Sequence, residues 1–501
     1  MKKIKKFLIS LTSSLLIAGN VMTFASCGGD SVSGISTGDV EVVAYDGSEV
    51  TISFYHCMGT NLRTILANCI EDFNKLYPNI TVNADYAGDY PAARDKISTE
   101  LSAGRAPSLA YCYPDHVALY NMSKAVLTLD DHIASTLEVT RADGTKDIMG
   151  LTQEQIDDYV PAYYNEGKIY GDGKMYTLPM LKSTELLYYN KTYFEANNLE
   201  VPTTWNEMEA LCQQILDIEN AKPGGKEKNP CIPLGYDSSA NWFITMTEQL
   251  NSGYTTDEKG NYFTFNNETN RAFVERFKGW YEKGYVTTEE IFGSYTSDLF
   301  TETAVDDPKT DKNEAKTKAF MCIGSTGGAS YQCPDKLPDE SYPFEVGVAM
   351  IPQENPETPT MISQGPSLCL FKKQNPQEVA AAWLFAKYIT TSTKHQAKFS
   401  MQNGYTCAIQ SVKEDPVYSG FLESKDGNEF LQASVIELTM QFKDYYFVSP
   451  AFNGSSTARD DMGLLMKACF MEKTSNGQTA AEMIEAKFNK TYDTLKNKYD
   501  K

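Results

Sequence analysis

The chain has 501 residues, with 45 Lys and Arg against 66 Asp and Glu, for a formal charge of −21. Lys2, Lys3, Lys5 and Lys6 form its one dense basic run, and the rest of the chain is near −25, about four charges lower. Nucleic acids and anionic lipid surfaces need clustered Lys and Arg, so both are excluded as partners for the body of the chain.

The first 26 residues read as a leader. After the four lysines, Phe7 to Ile17 is an apolar stretch too short to span a bilayer. Phe24-Ala25-Ser26-Cys27 then resembles a bacterial lipobox, with Phe24 in place of its usual Leu. It predicts lipidation of Cys27; the alternative is an ordinary secretory signal beside a chance cysteine. Gly28 to Gly47 is rich in Gly, Ser, Asp and Val and predicts a flexible tether over 27–47. No later run of some 18 apolar residues exists. The remaining length of about 455 residues is enough for two or three domains with substantial cores.

Val50 to Tyr55 alternates and is β-branched, which predicts a strand. Thr60 is expected to cap a helix bearing Leu62, Leu66, Cys69, Phe73 and Leu76 on one face, closed by Pro78. A strand at 80–84, a helix from Pro91 to Gly104 and a strand at 108–113 follow. This alternation is the pattern of a helix-covered, largely parallel sheet. A second such unit is predicted by a strand at 186–190, a helix capped by Thr204 with Glu207, and an amphipathic helix over 271–284. Asp257-Glu258-Lys259-Gly260 reads as a hairpin turn, without calcium-loop spacing. Asn375-Pro376-Gln377-Glu378 opens a further helix.

Catalytic signatures are missing: no H-E-x-x-H, G-x-S-x-G or phosphate-loop ending is found. His56, His116, His132 and His395 are scattered, and the ten cysteines after Cys27 form no C-x-x-C pair. No metal and no cofactor are expected. The cysteines read as small buried thiols rather than disulfide partners.

Several segments together resemble the extracellular solute-binding proteins of ABC sugar importers, closest to the glycerol-3-phosphate-binding subgroup. They are Ile52 to Met58, Asp72-Phe73-Asn74 with Tyr77-Pro78, Gly104 to Leu109, Pro179 to Lys191, Pro202 to Trp205, and Gln402-Asn403-Gly404-Tyr405. The resemblance implies an α/β, two-lobe periplasmic-binding-protein-like (type II) fold with a multi-crossing hinge. Lobe one would hold 48–183 and 365–410, and lobe two 184–364 and 411–501. It further implies a monomer on the extracytoplasmic face of the cell membrane, lipid-anchored, that passes a small solute to an ABC permease and its ATPase. A solute trapped between lobes favours the closed form by population shift.

The subgroup's contacts project onto Tyr90, Ser183, Ser325, Gly365, Tyr405 and Arg459, and more loosely onto Asp115 as an acceptor for ligand hydroxyls. Each has a plainer reading: Tyr90 as a surface aromatic, Ser183 as a turn residue, Gly365 as a hinge glycine, Arg459 as a partner of Asp460 or Asp461. The Gly324 to Gly328 turn could cradle an anion through bare amides or be a simple turn. A phosphate would need Arg459; an oligosaccharide would need aromatic platforms, for which Trp242, Tyr55 and Tyr236 are candidates, with core packing as the alternative. Glycerol 3-phosphate or its diesters are weighed slightly above a sugar. An exported glycan-processing enzyme and a lipoprotein scaffold are the competing classes.

Overall fold

The computed structural model describes residues 32–302, 316–424, 427–475 and 477–500. The leader and Cys27 lie outside the described residues. In chain order the sheet strands are β1 (Val50–His56), β2 (Ile80–Tyr86), β3 (Leu109–Cys112), β4 (Thr177–Pro179), β5 (Glu185–Asn190), β6 (Leu234–Tyr236), β7 (Val286–Thr288), β8 (Met321–Ser325), β9 (Val346–Met350) and β10 (Ser367–Leu370). The helices that matter here are α1 (Thr60–Leu76), α2 (Tyr90–Ser102), α3 (Pro114–Tyr120), α4 (Trp205–Ala221), α5 (Ser239–Gln249), α6 (Glu268–Lys283), α7 (Pro376–Thr391), α8 (Thr393–Asn403), α9 (Leu431–Gln441), α10 (Ser455–Met471) and α11 (Ala480–Tyr499).

Local chemistry sets the ends of these helices. Thr204 accepts from the Glu207 amide while the Glu207 carboxylate reaches back to the Thr204 amide, closing a capping box on α4. Asn375 caps α7, and α6 stops at Gly284, whose φ of 77° is left-handed. For α1 the expected cap moves by one residue: Gly59 is the N-cap without a side-chain bond, and Thr60 is the first helical residue. Its inward stripe is Leu62, Leu66, Cys69 and Phe73, the 3.6-residue spacing of one buried face.

Among the described residues two five-stranded sheets carry the fold, in the orders β2-β1-β3-β10-β4 and β7-β6-β8-β5-β9. In the first, β1 runs parallel to β2 and β3, and β10 lies antiparallel between β3 and β4. In the second, β6 is parallel to β7 and β8, and β5 lies antiparallel between β8 and β9. Phe54, Phe73, Trp383 and Phe385 belong to the core on the first sheet. Trp205, Trp242, Phe277 and Trp280 belong to the core on the second, with α10 and α11 packed against it. Burying each such side chain contributes about 1.5–3 kcal/mol. The ten cysteines from Cys57 to Cys469 are free.

Several chain passages connect the two units. Leu181–Lys182 pairs with Thr406–Cys407, Ser183 bridges Gln364, and Met361–Ile362 pairs with Tyr446–Phe447. Two expectations about the boundaries need correction. Val412, Tyr418 and Ile436 pack into the first core while Leu431 and Val435 join a cluster on the second sheet, so the chain after 410 does not pass straight to lobe two. From Val32 onward, the expected tether is docked: Ser33 pairs with Ala106, its hydroxyl bonds Glu378, and Tyr45 is buried. The polar composition that suggested flexibility is used for hydrogen bonds to the first unit.

Candidate functional site

The C-terminal ends of parallel strands are where open α/β sheets collect ligands, because the loops there can diverge around a crevice. In the first unit those loops place Cys57 after β1, Tyr90 after β2, and Tyr113 and Asp115 after β3. In the second they place Asp237 and Asn241 after β6, Glu289 after β7, and Thr326 after β8. The two sets meet. Tyr405, just beyond α8, lays its ring on Gly327: a Cβ built there would fall 2.4 Å from Tyr405 Cε1. Asn403 Nδ2 donates to the Gly327 carbonyl at 3.3 Å, which fixes this meeting of the units.

A hydrogen-bonded chain also links the two units. The Tyr236 hydroxyl donates to Glu185 Oε2 at 2.7 Å, and Asn241 Nδ2 donates to Glu185 Oε1 at 3.0 Å. Arg459 Nη1, from α10, donates to Asn241 Oδ1 at 2.7 Å, and Arg459 Nε to Asp115 Oδ2 at 3.2 Å. Burial pushes the Glu185 carboxyl up to about 7, against the two donors that hold its charged form. For Asp115, burial is outweighed by the charges of His116 and Arg459, and its pKa ends below the ordinary value. Burial alone would lower the Arg459 pKa, but Asp115, through its charge and its hydrogen bond, together with Tyr254 and Tyr113 outweighs it and the guanidinium stays ionised. The plainer reading of Arg459 as the partner of Asp460 or Asp461 is therefore wrong: Asp460 binds Arg94 instead, at 2.6 Å.

Aromatic rings and carboxylates line the rest. Tyr90 stacks on Tyr113 with centroids 4.2 Å apart and planes 15° from parallel. Burial raises Tyr405 to about 12, partly countered by a hydrogen bond with Tyr90. Glu289 is pushed up to about 7, first by burial and then by Glu290, Asp237 and Asp89, so several carboxylates crowd one wall.

The remaining expected site residues lie elsewhere. Ser183 exchanges both backbone bonds with Gln364, at 3.0 and 2.8 Å, and belongs to the hinge. Gly365 has φ of 95° and a Cβ there would fall 2.5 Å from the Leu181 carbonyl, so it permits two hinge passages to touch. Ser325 turns its hydroxyl to the Gly327 amide, and the Thr326 amide donates to the Thr184 carbonyl. The glycine turn is thus no open anion cradle; its bareness admits the Tyr405 ring. Trp242 is 0% exposed and packs at 4.2 Å from Phe277, so it is core and no sugar platform. Tyr236 and Tyr55 are equally buried, with hydroxyls on Glu185 and Glu100. Sequence reasoning missed Tyr113, Glu185, Asn241 and Glu289. The rule of strand ends would have found three of them, since Tyr113 and Glu289 follow directly on β3 and β7, and Asn241 lies in the first turn of the helix after β6.

Among the described residues no helix is long and apolar enough to cross a membrane, and no group of side chains could hold a metal. Two α/β units around a polar cleft, joined by several chain passages, define a type II periplasmic-binding fold. The chain belongs to the bacterial extracellular solute-binding protein family, whose profile matches residues 68–422. It is 23% identical over 368 residues to the multiple sugar-binding protein of Streptococcus mutans, 73% of this chain and 77% of that one. It is 26% identical over 161 residues to the sn-glycerol-3-phosphate-binding periplasmic protein UgpB of Escherichia coli, spanning 32% of this chain and 34% of that protein. The crystal structure of UgpB from Mycobacterium tuberculosis in complex with glycerophosphocholine superposes with a TM-score of 0.67 at 16% identity, over 90% of this chain and 99% of that one. MalE from Bdellovibrio bacteriovorus bound to maltotriose gives 0.64 at 17%, over 89% and 100%. These relatives are binding proteins, and this chain is a binding protein rather than an enzyme.

Proposed function

We propose that this protein captures a neutral carbohydrate between its two units and delivers it to the permease and ATPase of an ABC importer. The observation that carries this reading is the state of Arg459. Its guanidinium already holds a carboxylate and a carboxamide, and beyond Tyr113 and Tyr295 a second group of carboxyls gathers, Glu289 with Glu290, Asp237 and Asp89. A phosphate would have to displace Asp115 and then sit among those carboxylates, whereas sugar hydroxyls would donate to them. Sugar faces are apolar and suit the rings of Tyr90, Tyr113 and Tyr405. On this chemistry we weigh a neutral sugar above glycerol 3-phosphate. The multiple sugar-binding relative, matched over most of its length, points the same way.

In this reading solute binding draws the units together, and the permease recognises the closed form. Cys27 carries the lipid that keeps the monomer at the extracytoplasmic face of the membrane. Calorimetry of residues 28–501 against neutral oligosaccharides, glycerol 3-phosphate and glycerophosphocholine tests the ligand class. One-to-one binding of a neutral oligosaccharide without product is expected, with a stability gain of about 2.7 kcal/mol at 100 times its Kd. Binding of the phosphates alone would overturn the carbohydrate reading. The mass of the protein from membranes tests the anchor, which requires acyl chains on Cys27.

A further inference from the structure

We propose that Arg94 and Asp460 are positioning residues that clasp the two units together and hold Arg459 in the cleft, without touching the solute. Arg94 lies on α2, whose Ala93, Ile97 and Leu101 are buried with the first sheet. Asp460 lies on α10, whose Ala458 and Met462 are buried with the second. The bond between them therefore spans the cleft. Arg94 Nη1 donates to Asp460 Oδ2 at 2.6 Å and to the buried Ser456 hydroxyl oxygen at 2.9 Å, gripping α10 at two points one turn apart.

Asp460 is the next residue after Arg459, and the two point to successive elements of the first unit. Asp460 takes α2 through Arg94; Arg459 takes α3 through Asp115. Each unit contributes one cation and one anion, so the pairs are reciprocal and neither can slide without breaking the other. The Arg94 side chain is 13% exposed and that of Asp460 44%, so salt weakens the clasp from the Asp460 side without abolishing it. Nothing in the solute reading assigns either residue. Their effect is indirect: when α10 is no longer tied to α2, Arg459 loses its fixed aim at Asn241 and Asp115, and the closed arrangement is less populated.

This inference rests on the carbohydrate-capture reading for its affinity readout, and the test separates the two. Arg94→Gln, Asp460→Asn and the swap Arg94→Asp with Asp460→Arg are compared in the chain 28–501 by calorimetry at low and high salt, and by solution scattering. Each single variant is expected to weaken binding of the neutral oligosaccharide about tenfold, the effect of one bond to a charged group. The swap should regain most of that loss, and salt should weaken wild-type binding more than Asp460→Asn binding. A general loss of packing would give neither the rescue nor the altered salt slope. Asp460→Asn, half-exposed, keeps the test open where Arg94→Gln unfolds. Should no solute bind the wild type, scattering reads the clasp alone, with a larger radius of gyration expected for both single variants. Unchanged affinity and radius in Asp460→Asn, or a swap no better than its worse single variant, would overturn the clasp.

Discussion

Arg459, on the helix that packs against the second sheet, sets its Nε 3.2 Å from Asp115 Oδ2, in the first turn of the helix that follows β3 of the first. The pair closes a line of bonds from Tyr236 through Glu185, Asn241 and Arg459 to Asp115. A change at one end of that line is felt at the other.

Asp115→Asn removes the charge that Arg459 faces while nearly keeping the shape. Stability should fall by about 1–3 kcal/mol, the cost of a weakened bond to a partly desolvated charge. The ligand response discriminates more sharply. Neutral oligosaccharide affinity should drop, because the bridge that draws the units together is weaker, while glycerol 3-phosphate should bind better because Arg459 is released. Calorimetry on both ligands checks the opposite signs; loss of both would mean that Asp115 matters only for folding.

Glu185 gives the cleft a pH dependence of stability with a definite sign. Its carboxyl titrates near 7 in the folded protein, raised by burial from an ordinary value of 4.5. The folded form therefore keeps its proton through a range in which the unfolded chain has lost it. Between pH 4.5 and 7 stability falls as pH rises, by roughly 3 kcal/mol in total, and the penalty is complete above 7. Glu185→Gln cannot ionise and should lose this slope, gaining on the wild type at pH 8 and matching it near pH 4.5. Denaturant titrations at those two values measure the difference. Equal slopes for both proteins would place the ionisation elsewhere.

The parts of this fold legible in the sequence are those decided within a few residues. The Thr204 and Glu207 capping box, the Gly284 stop and the α1 stripe depend on neighbours three or four positions away. The segments at Pro179 to Lys191 and at Gly404-Tyr405 are recognisable as family features; the first bonds to Gln364 through Ser183, and the second sets Tyr405 against Gly327. Partners distant in sequence were not legible. Arg459 and Asp115 are separated by 344 positions, and the nearby Asp460 and Asp461 were the natural guess. Trp242 misled for a related reason: an aromatic at the start of a helix looks the same whether it faces a sugar or Phe277. Only the packing of α5 against α6 and α10 decides that it is core.

Trp242 and Tyr405 should therefore separate stability from binding. Trp242→Ala empties a site surrounded by Trp205, Phe277 and Trp280 and is expected to cost about 3–5 kcal/mol. The folded fraction should still bind solute with little change in affinity. Tyr405→Ala removes a half-buried ring that touches Gly327 and Tyr90, and should lower affinity by at least tenfold with a smaller loss of stability. Thermal melts paired with calorimetry read both numbers. A Trp242 variant of full stability and no affinity would reinstate that residue as a platform.

At the hinge, Lys182 and Glu166 form an ion pair 2.6 Å long with side-chain exposures of 0% and 3%. Lys182 Nζ also lies 3.5 Å from the Gly365 carbonyl and from Ser367 Oγ, while Ser363 Oγ donates to Glu166 Oε2 at 3.2 Å. The pair thus ties two chain passages between the units at the point where they must flex. Taking both charges from water is expensive, and the attraction repays that cost only while both partners remain. Lys182→Met alone should leave Glu166 buried and unpaired and destabilise by about 3–5 kcal/mol. Lys182→Met combined with Glu166→Gln should recover most of that loss, because no uncompensated charge stays behind. The double variant then isolates what the pair does for motion: with the side-chain tie gone and the backbone bonds between Ser183 and Gln364 left, the range of opening should widen. Denaturant unfolding supplies the stabilities and solution scattering the spread of sizes. A double variant as unstable as the single one would show that the bonds to Ser363 and Gly365, rather than charge compensation, hold the hinge.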